Sequence, residues 1–246
     1  MAEFIFLGAN CSSQDLDNGN TSLLVKGTDG SCVLVDVSCN LALPVDACAD
    51  VIVLTHEHID HVYALPSFLH QSWLAGRTKP LDIYVPSGLE AIPEGMISLF
   101  ALREKNGMFP IRILSADRPF TVGSLAITPF RTDHTKTSLG LVFEEDGKKL
   151  VYTCDTRPFS SVPDVMRGAD VLIHESSGPE AKEELLVRKG HSSGADAGRL
   201  AKALNVTALY LCHLPRGTDA KQQILSEAEQ IFSPCFLPEV LKVYSL

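Results

Sequence analysis

The sequence predicts an α/β (α+β) fold, a four-layer αββα sandwich in which two β-sheets pack face to face and helices cover their outer sides. Short apolar runs of strand length recur along the whole chain, several joined by tight turns that imply antiparallel neighbours. The order is strands, then alternating strands and helices, then the same pattern once more. Two packed sheets satisfy that order better than one doubly wound parallel sheet. Histidine and acidic residues gather at the carboxyl ends of these runs, where layered α/β proteins usually carry function.

Phe4 to Leu7, Ser22 to Val25 and Cys32 to Val35 read as strands, with Gly27-Thr28-Asp29-Gly30 turning between the last two. Val51 to Thr55 is a continuous apolar strand of the kind buried on both faces. A helix follows from His61 toward Trp73, its start delayed by Pro66. Leu81 to Val85 is a strand, and Leu89 to Lys105 has a helical pattern interrupted by Pro93 and Gly95. Ile111 to Leu114, Leu125 to Phe130, Leu139 to Phe143 and Leu150 to Cys154 form a second group of strands. Glu145-Asp146-Gly147 turns between the last two. Val171 to His174 is a strand, Ser192 to Leu204 a helix, Ala208 to Cys212 a strand and Asp219 to Phe232 a helix. No low-complexity linker intervenes, so residues 1–246 are expected to form a single domain.

Composition narrows the function. Hydrophobic residues make up 45% of the chain, enough for a sizeable core, so disorder is not expected. The net charge of −9 does not suggest a broad nucleic-acid surface, which is normally basic. Seven scattered cysteines, with no CxxC pair, do not make a secreted disulfide framework. The amino terminus lacks the basic region of a signal peptide, and no apolar run reaches membrane-span length. A cytoplasmic location without membrane contact is expected.

His56-Glu57-His58-Ile59-Asp60-His61 follows the apolar run Val51 to Leu54. Imidazoles packed this closely repel one another once protonated, and they cost desolvation if buried without partners. A divalent metal removes both problems, because neutral imidazole and carboxylate are preferred ligands. Further polar residues stand at other strand ends or helix starts: His134, Asp155, His174-Glu175, His191 and His213. Of the eight histidines only His70 lies outside this pattern.

The segment Thr55 to His61 carries the HxHxDH signature and resembles metallo-β-lactamase-fold hydrolases. The tRNase Z-like phosphodiesterase branch is the most similar. Phe6-Leu7-Gly8, His134 to Gly140, Asp155-Thr156-Arg157-Pro158, Ile173-His174-Glu175 and Gly190-His191-Ser192-Ser193 are similar to its successive motifs. The resemblance implies two adjacent divalent metals, zinc first, with manganese or iron as alternatives. It assigns His56, His58 and His134 to one metal, Asp60, His61 and His213 to the other, and Asp155 to a bridge. It further implies attack by hydroxide at a dinuclear centre, with Asp60 orienting the nucleophile, His191 giving a proton to the leaving oxygen, and Glu175 holding His191. His174 is expected to face inward as a structural residue.

Ser192, Ser193 and the amides at the start of the following helix are candidate phosphate contacts, as are Lys136, Arg157 and Arg216. Cys154 and Cys212 precede presumed ligands, and strand alternation should turn them into the core. The tRNase Z branch carries a long arm between the third-motif histidine and the bridging aspartate. His134 and Asp155 stand too close in sequence for one. With the acidic balance, this leads to the expectation that tRNA is not a partner. Small or nucleotide phosphodiesters are expected instead, as in armless relatives resembling the phosphodiesterase of the carbon–phosphorus lyase pathway. Those relatives carry a cysteine-rich structural zinc site that has no counterpart here. The alternatives are a carbonyl-directed thioesterase or lactonase, an armless tRNase Z-like ribonuclease, and a non-catalytic metal-binding relative. A homodimer is left open.

Overall fold

The computed structural model describes all residues 1–246. Seven strands form the first sheet: β1 (Glu3–Gly8), β2 (Ser22–Lys26), β3 (Cys32–Val35), β4 (Val51–Val53), β5 (Leu81–Val85), β6 (Ile111–Ser115) and β14 (Val243–Ser245), in the order β14-β1-β2-β3-β4-β5-β6. The second holds β7 (Phe120–Val122), β8 (Leu125–Arg131), β9 (Leu139–Glu145), β10 (Lys148–Tyr152), β11 (Val171–Glu175), β12 (Ala208–Cys212) and β13 (Cys235–Phe236), in the order β13-β12-β11-β10-β9-β8-β7. Both sheets change character in the same way. Antiparallel hairpins lead to β3 and to β10, after which β4, β5, β6 and β11, β12, β13 add in parallel.

The side-chain period of two explains the layers. Phe4, Phe6, Leu23, Val25, Val33, Val35, Val51 and Val53 point from the first sheet into a cluster shared with Leu125, Ile127, Leu141, Phe143, Leu150, Tyr152, Val171 and Ile173 of the second. The alternate residues Ile5, Leu7, Leu24, Leu34 and Ile52 face outward and pack with Leu65, Phe68, Leu69 and Ile97. These four belong to α3 (Leu65–Leu74) and α4 (Ala91–Leu99). Val142, Val151, Leu172, Leu209 and Leu211 pack with Ala197, Leu200, Ala201, Leu204, Ile224 and Ala228, which lie on α6 (Gly194–Leu204) and α7 (Thr218–Glu229). Three apolar interfaces make four layers, the αββα sandwich expected from the order of elements.

The local differences have physical causes. The expected helix from His61 divides into α2 (Ile59–Val62) and α3, and Pro66 sits in the first turn of α3, where its missing N–H costs little. β4 stops at Val53 because Thr55 turns its amide to the Asp36 carboxylate instead of a neighbouring strand. The helix near Leu89 ends at Leu99, ahead of a left-handed residue at Ala101. Helix α6 begins at Gly194 because Ser193 caps it. The sequence reading did not identify α1 (Ala42–Asp46), α5 (Glu183–Lys189), β7, β13 or β14, all of them short. No helix is long and apolar enough to cross a membrane.

Candidate metal centre and active site

Both sheets deliver polar residues to one cleft. Asp36 ends β3, the loop Thr55 to His61 leaves β4, and His134 lies between β8 and β9. Asp155 follows β10, Glu175 closes β11, and His213 follows β12. Three of these exits, at Asp36, Cys154 and His213, use non-glycine residues with φ of 55°, 53° and 52°. Left-handed backbone at such residues costs roughly 1–3 kcal/mol each and persists where the surroundings enforce it. Here it turns the chain sharply as it leaves the sheet.

Two groups of donor atoms converge. In the first, His58 Nδ1 stands 3.0 Å from His56 Nε2 and 3.1 Å from His134 Nε2, while Asp155 Oδ2 lies 3.7 and 3.8 Å from those same Nε2 atoms. In the second, His213 Nε2 is 3.5 Å from Asp60 Oδ2 and 3.3 Å from Asp155 Oδ2. His61 Nε2 is 3.9 and 3.6 Å from the same two oxygens. The Asp155 carboxylate therefore borders both groups. Donors about 2.0–2.1 Å from a tetrahedral ion stand about 3.3–3.4 Å from one another, so both sets have the spacing of ligands around a small cation.

Hydrogen bonds behind the rings fix which nitrogen faces the cleft. His61 Nδ1 donates to Asp36 Oδ2 at 2.7 Å, and His134 Nδ1 to the Gly190 carbonyl at 2.7 Å. The Thr55 hydroxyl donates to Asp36, so its oxygen accepts from His56 Nδ1 at 3.1 Å. In each case Nδ1 donates to the partner behind the ring and Nε2 faces the cleft. Gly190 is required for this approach: a Cβ there would lie 2.7 Å from His134 Nδ1.

The charges agree. Burial pushes His56, His58 and His134 below the usual imidazole value, which keeps them neutral and able to ligate. Burial also opposes charge on His61, yet the carboxylates of Asp155 and Asp36 outweigh it and hold a proton there well above the usual value. Burial likewise opposes ionisation of Asp155 and Asp60, but neighbouring imidazoles keep both carboxyls below the ordinary range. A buried anionic spot that retains a proton on histidine also attracts a cation. His61 Nε2, His213 Nε2 and Asp155 Oδ1 are buried with no hydrogen-bond partner, so the residues fit a divalent metal on spacing, tautomer and unmet polar atoms alike.

A family model described as the beta-lactamase superfamily domain matches residues 36–214, a span that opens at Asp36 and contains every donor above. The chain belongs to this superfamily. It is a metal-dependent hydrolase. Ribonuclease Z of Methanothermobacter thermautotrophicus is 26% identical, over 94% of this chain and 92% of that protein. Ribonuclease BN of an Enterobacter species is 28% identical, over 77% and 79%. Among solved structures, the metallo-β-lactamase fold protein YhfI of Bacillus subtilis superposes with a TM-score of 0.83 at 21% identity, covering 99% of this chain and 98% of that one. The short form of human tRNase Z gives 0.77 at 22%, with the same coverage. These structural likenesses establish the fold.

The expectation that tRNA is not a partner is overturned by these relatives. A protein named ribonuclease Z matches over 94% of this chain, and the short form of human tRNase Z has the same fold. Net charge sums over a whole surface and says little about one cleft. The short interval between His134 and Asp155, filled by β9 and β10, concerns one possible grip and not the site.

In this superfamily chain the other expected residues fall as follows. His191 lies beside the second donor group, its Nδ1 2.9 Å from Glu175 Oε1 and its ring stacked on His213 at 5.1 Å. Its side chain is 17% exposed, enough for a substrate to reach. Burial opposes charge on this ring, but the Glu175 hydrogen bond and charge raise its pKa. Ser192 and Ser193 are buried and engaged elsewhere. The Ser192 hydroxyl bonds the Thr156 carbonyl at 2.8 Å, and Ser193 forms a capping box with Asp196. Ser193→Ala is expected to lower stability in urea unfolding by about 1 kcal/mol with KM unchanged; a raised KM at unchanged stability would instead mark a substrate contact.

Lys136 pairs with Glu57 at 2.6 Å, and Arg157 with Asp133 at 2.7 Å and the Val187 carbonyl at 2.6 Å. Arg216 is exposed, 3.9 Å from Asp15. His174 is buried, with Nδ1 2.5 Å from the Glu175 carbonyl oxygen, outside both donor groups. Cys212 lies in the inter-sheet core. Cys154 does too, in step with Leu150 and Tyr152, and its Sγ lies 2.9 Å from Thr55 Oγ1 and 3.7 Å from His56 Nδ1.

Sequence reasoning missed three contributors. Asp36 anchors His61 directly and His56 through Thr55. Its signal was available: an acid directly after the apolar run Cys32 to Val35, as Asp155 follows its own strand. Ser12 donates to Asp60 Oδ2 at 2.9 Å, and Ser177 contacts both Glu175 and His213. Neither serine has any local pattern that marks it.

Proposed function

We propose that the chain is a ribonuclease Z-like phosphodiesterase that binds two divalent metals and cleaves RNA of the tRNA-precursor type. Residues 1–246 act as one domain around the shared inter-sheet core. The observation that carries this reading is the juxtaposition of two donor groups sharing Asp155 with the Glu175–His191 pair beside them. His56, His58 and His134 would hold one ion, Asp60, His61 and His213 the other, with Asp155 between. When bound, such ions polarise a phosphoryl oxygen and make hydroxide available near neutral pH. Zinc suits this donor set, in which imidazole dominates.

The chain's own residues supply the rest. Asp60, fixed by the Ser12 hydroxyl, orients the attacking water. His191, with Nδ1 tied to Glu175, presents Nε2 to the leaving oxygen as proton donor. That pair favours a phosphodiester over a thioester, because an alkoxide leaving from phosphorus needs a proton and a thiolate does not. Small or nucleotide diesters are the second reading, favoured by the short hairpin of β9 and β10 where an arm would otherwise stand.

The deciding experiment compares a tRNA precursor bearing a 3′ trailer, a cyclic nucleotide, bis-p-nitrophenyl phosphate, a thioester and a lactone. Endonucleolytic cleavage of the precursor, far more efficient than turnover of the small diesters, is expected. Turnover of small diesters with an intact precursor would move the assignment to the second reading. Turnover of the thioester or lactone alone would sink both.

A further inference from the structure

We infer that Ser177 is a positioning residue that passes the Glu175 charge to His213 and thereby sets the affinity of one of the two metal positions. The inference rests on the two-metal reading above. The Ser177 hydroxyl lies 2.8 Å from Glu175 Oε2, 2.8 Å from His213 Nδ1 and 3.4 Å from the His213 carbonyl oxygen. Its single proton goes to the nearby carboxylate rather than the more distant carbonyl. The oxygen is then left to accept, and His213 must carry its proton on Nδ1. Nε2 is thereby the lone-pair nitrogen, and it is the atom that faces Asp60 and Asp155.

Thr55 does the same on the other sheet, between Asp36 and His56. The two relays differ in one respect. Thr55 is fully buried and adjoins the ring it holds, whereas Ser177 is half-buried and reaches a residue just past β12. His213 also has left-handed backbone, so its ring direction depends on side-chain anchoring. Glu175 meanwhile accepts the Thr156 amide at 2.8 Å and His191 Nδ1 at 2.9 Å on its other oxygen. One buried carboxylate thus aligns the proton donor directly and, through Ser177, a metal ligand.

Partners behind metal-bound imidazoles typically contribute about 10–100-fold in affinity. Zinc is titrated into the metal-free full chain against a chromogenic chelator. The wild type is expected to show two binding steps, Ser177→Ala to lose about 10–100-fold in one of them, and Ser177→Thr, which keeps the hydroxyl, to restore that step. Two unaltered steps in Ser177→Ala would overturn the relay. Fewer than two steps in the wild type would instead overturn the two-metal reading. A second measurement needs no variant: nitrogen-15 spectra of the zinc-loaded wild type should show the His213 proton on Nδ1. A proton on Nε2 overturns the relay even if Ser177→Ala does not fold.

Discussion

Asp155→Ala is expected to remove bound metal and lower phosphodiester hydrolysis by about 10³-fold or more, the rate equivalent of several kcal/mol of transition-state stabilisation. Asp155 Oδ2 lies within 3.8 Å of Nε2 of His56, His61, His134 and His213, and no other carboxylate borders both donor groups. Without it, the imidazoles of His56, His58, His61, His134 and His213 crowd one pocket, with Asp60 beside His61 and His213 and Asp36 behind His61 as the anions left in contact. Repulsion between the imidazoles then opposes cation binding. Elemental analysis and steady-state kinetics of the purified variant, with circular dichroism as the folding control, decide the matter. A folded variant that retains two equivalents of metal and near-normal turnover would falsify the bridging role.

His191→Ala should behave in the opposite way with respect to metal. Its Nδ1 is held by Glu175 and lies 4.0 Å from Asp155 Oδ2, farther than any Nε2 of His56, His61, His134 or His213, and its ring lies against His213. Metal content is expected to stay at the wild-type value while RNA cleavage falls by about 10²–10⁴-fold, the usual contribution of a positioned general acid. The loss should be much smaller for bis-p-nitrophenyl phosphate, because a nitrophenolate departs without a proton. Equal losses on both substrates would show that His191 acts on binding or structure and not on the leaving group.

Much of this was legible in the sequence, for reasons that can be named. A sandwich buries strands on both faces, so apolar runs such as Val51 to Val53 stand out, and the turn at Asp146-Gly147 declares its hairpin. Residues such as His56 and Asp155 announce themselves because histidine and aspartate are unusual directly behind apolar strands. Ser12 and Ser177 do not, because a serine becomes significant only through what the fold brings to it. Edge strands β7, β13 and β14 are short and lack apolar contrast. Ser192 and Ser193 are ambiguous in the sequence for a related reason. A serine before a helix start suits a phosphate or a cap equally well, and here the hydroxyls bond to Thr156 and Asp196.

The division of each donor group between the two sheets has a mechanical consequence. His56, His58, Asp60 and His61 hang from the first sheet, and His134, Asp155 and His213 from the second. An ion held by either group would therefore rivet the halves of the sandwich together, as a cross-link does in a protein whose seven cysteines are all free. By mass action such a rivet adds about 2.7 kcal/mol when free metal exceeds Kd a hundredfold. The melting temperature of this chain then becomes a reading of the metal around it.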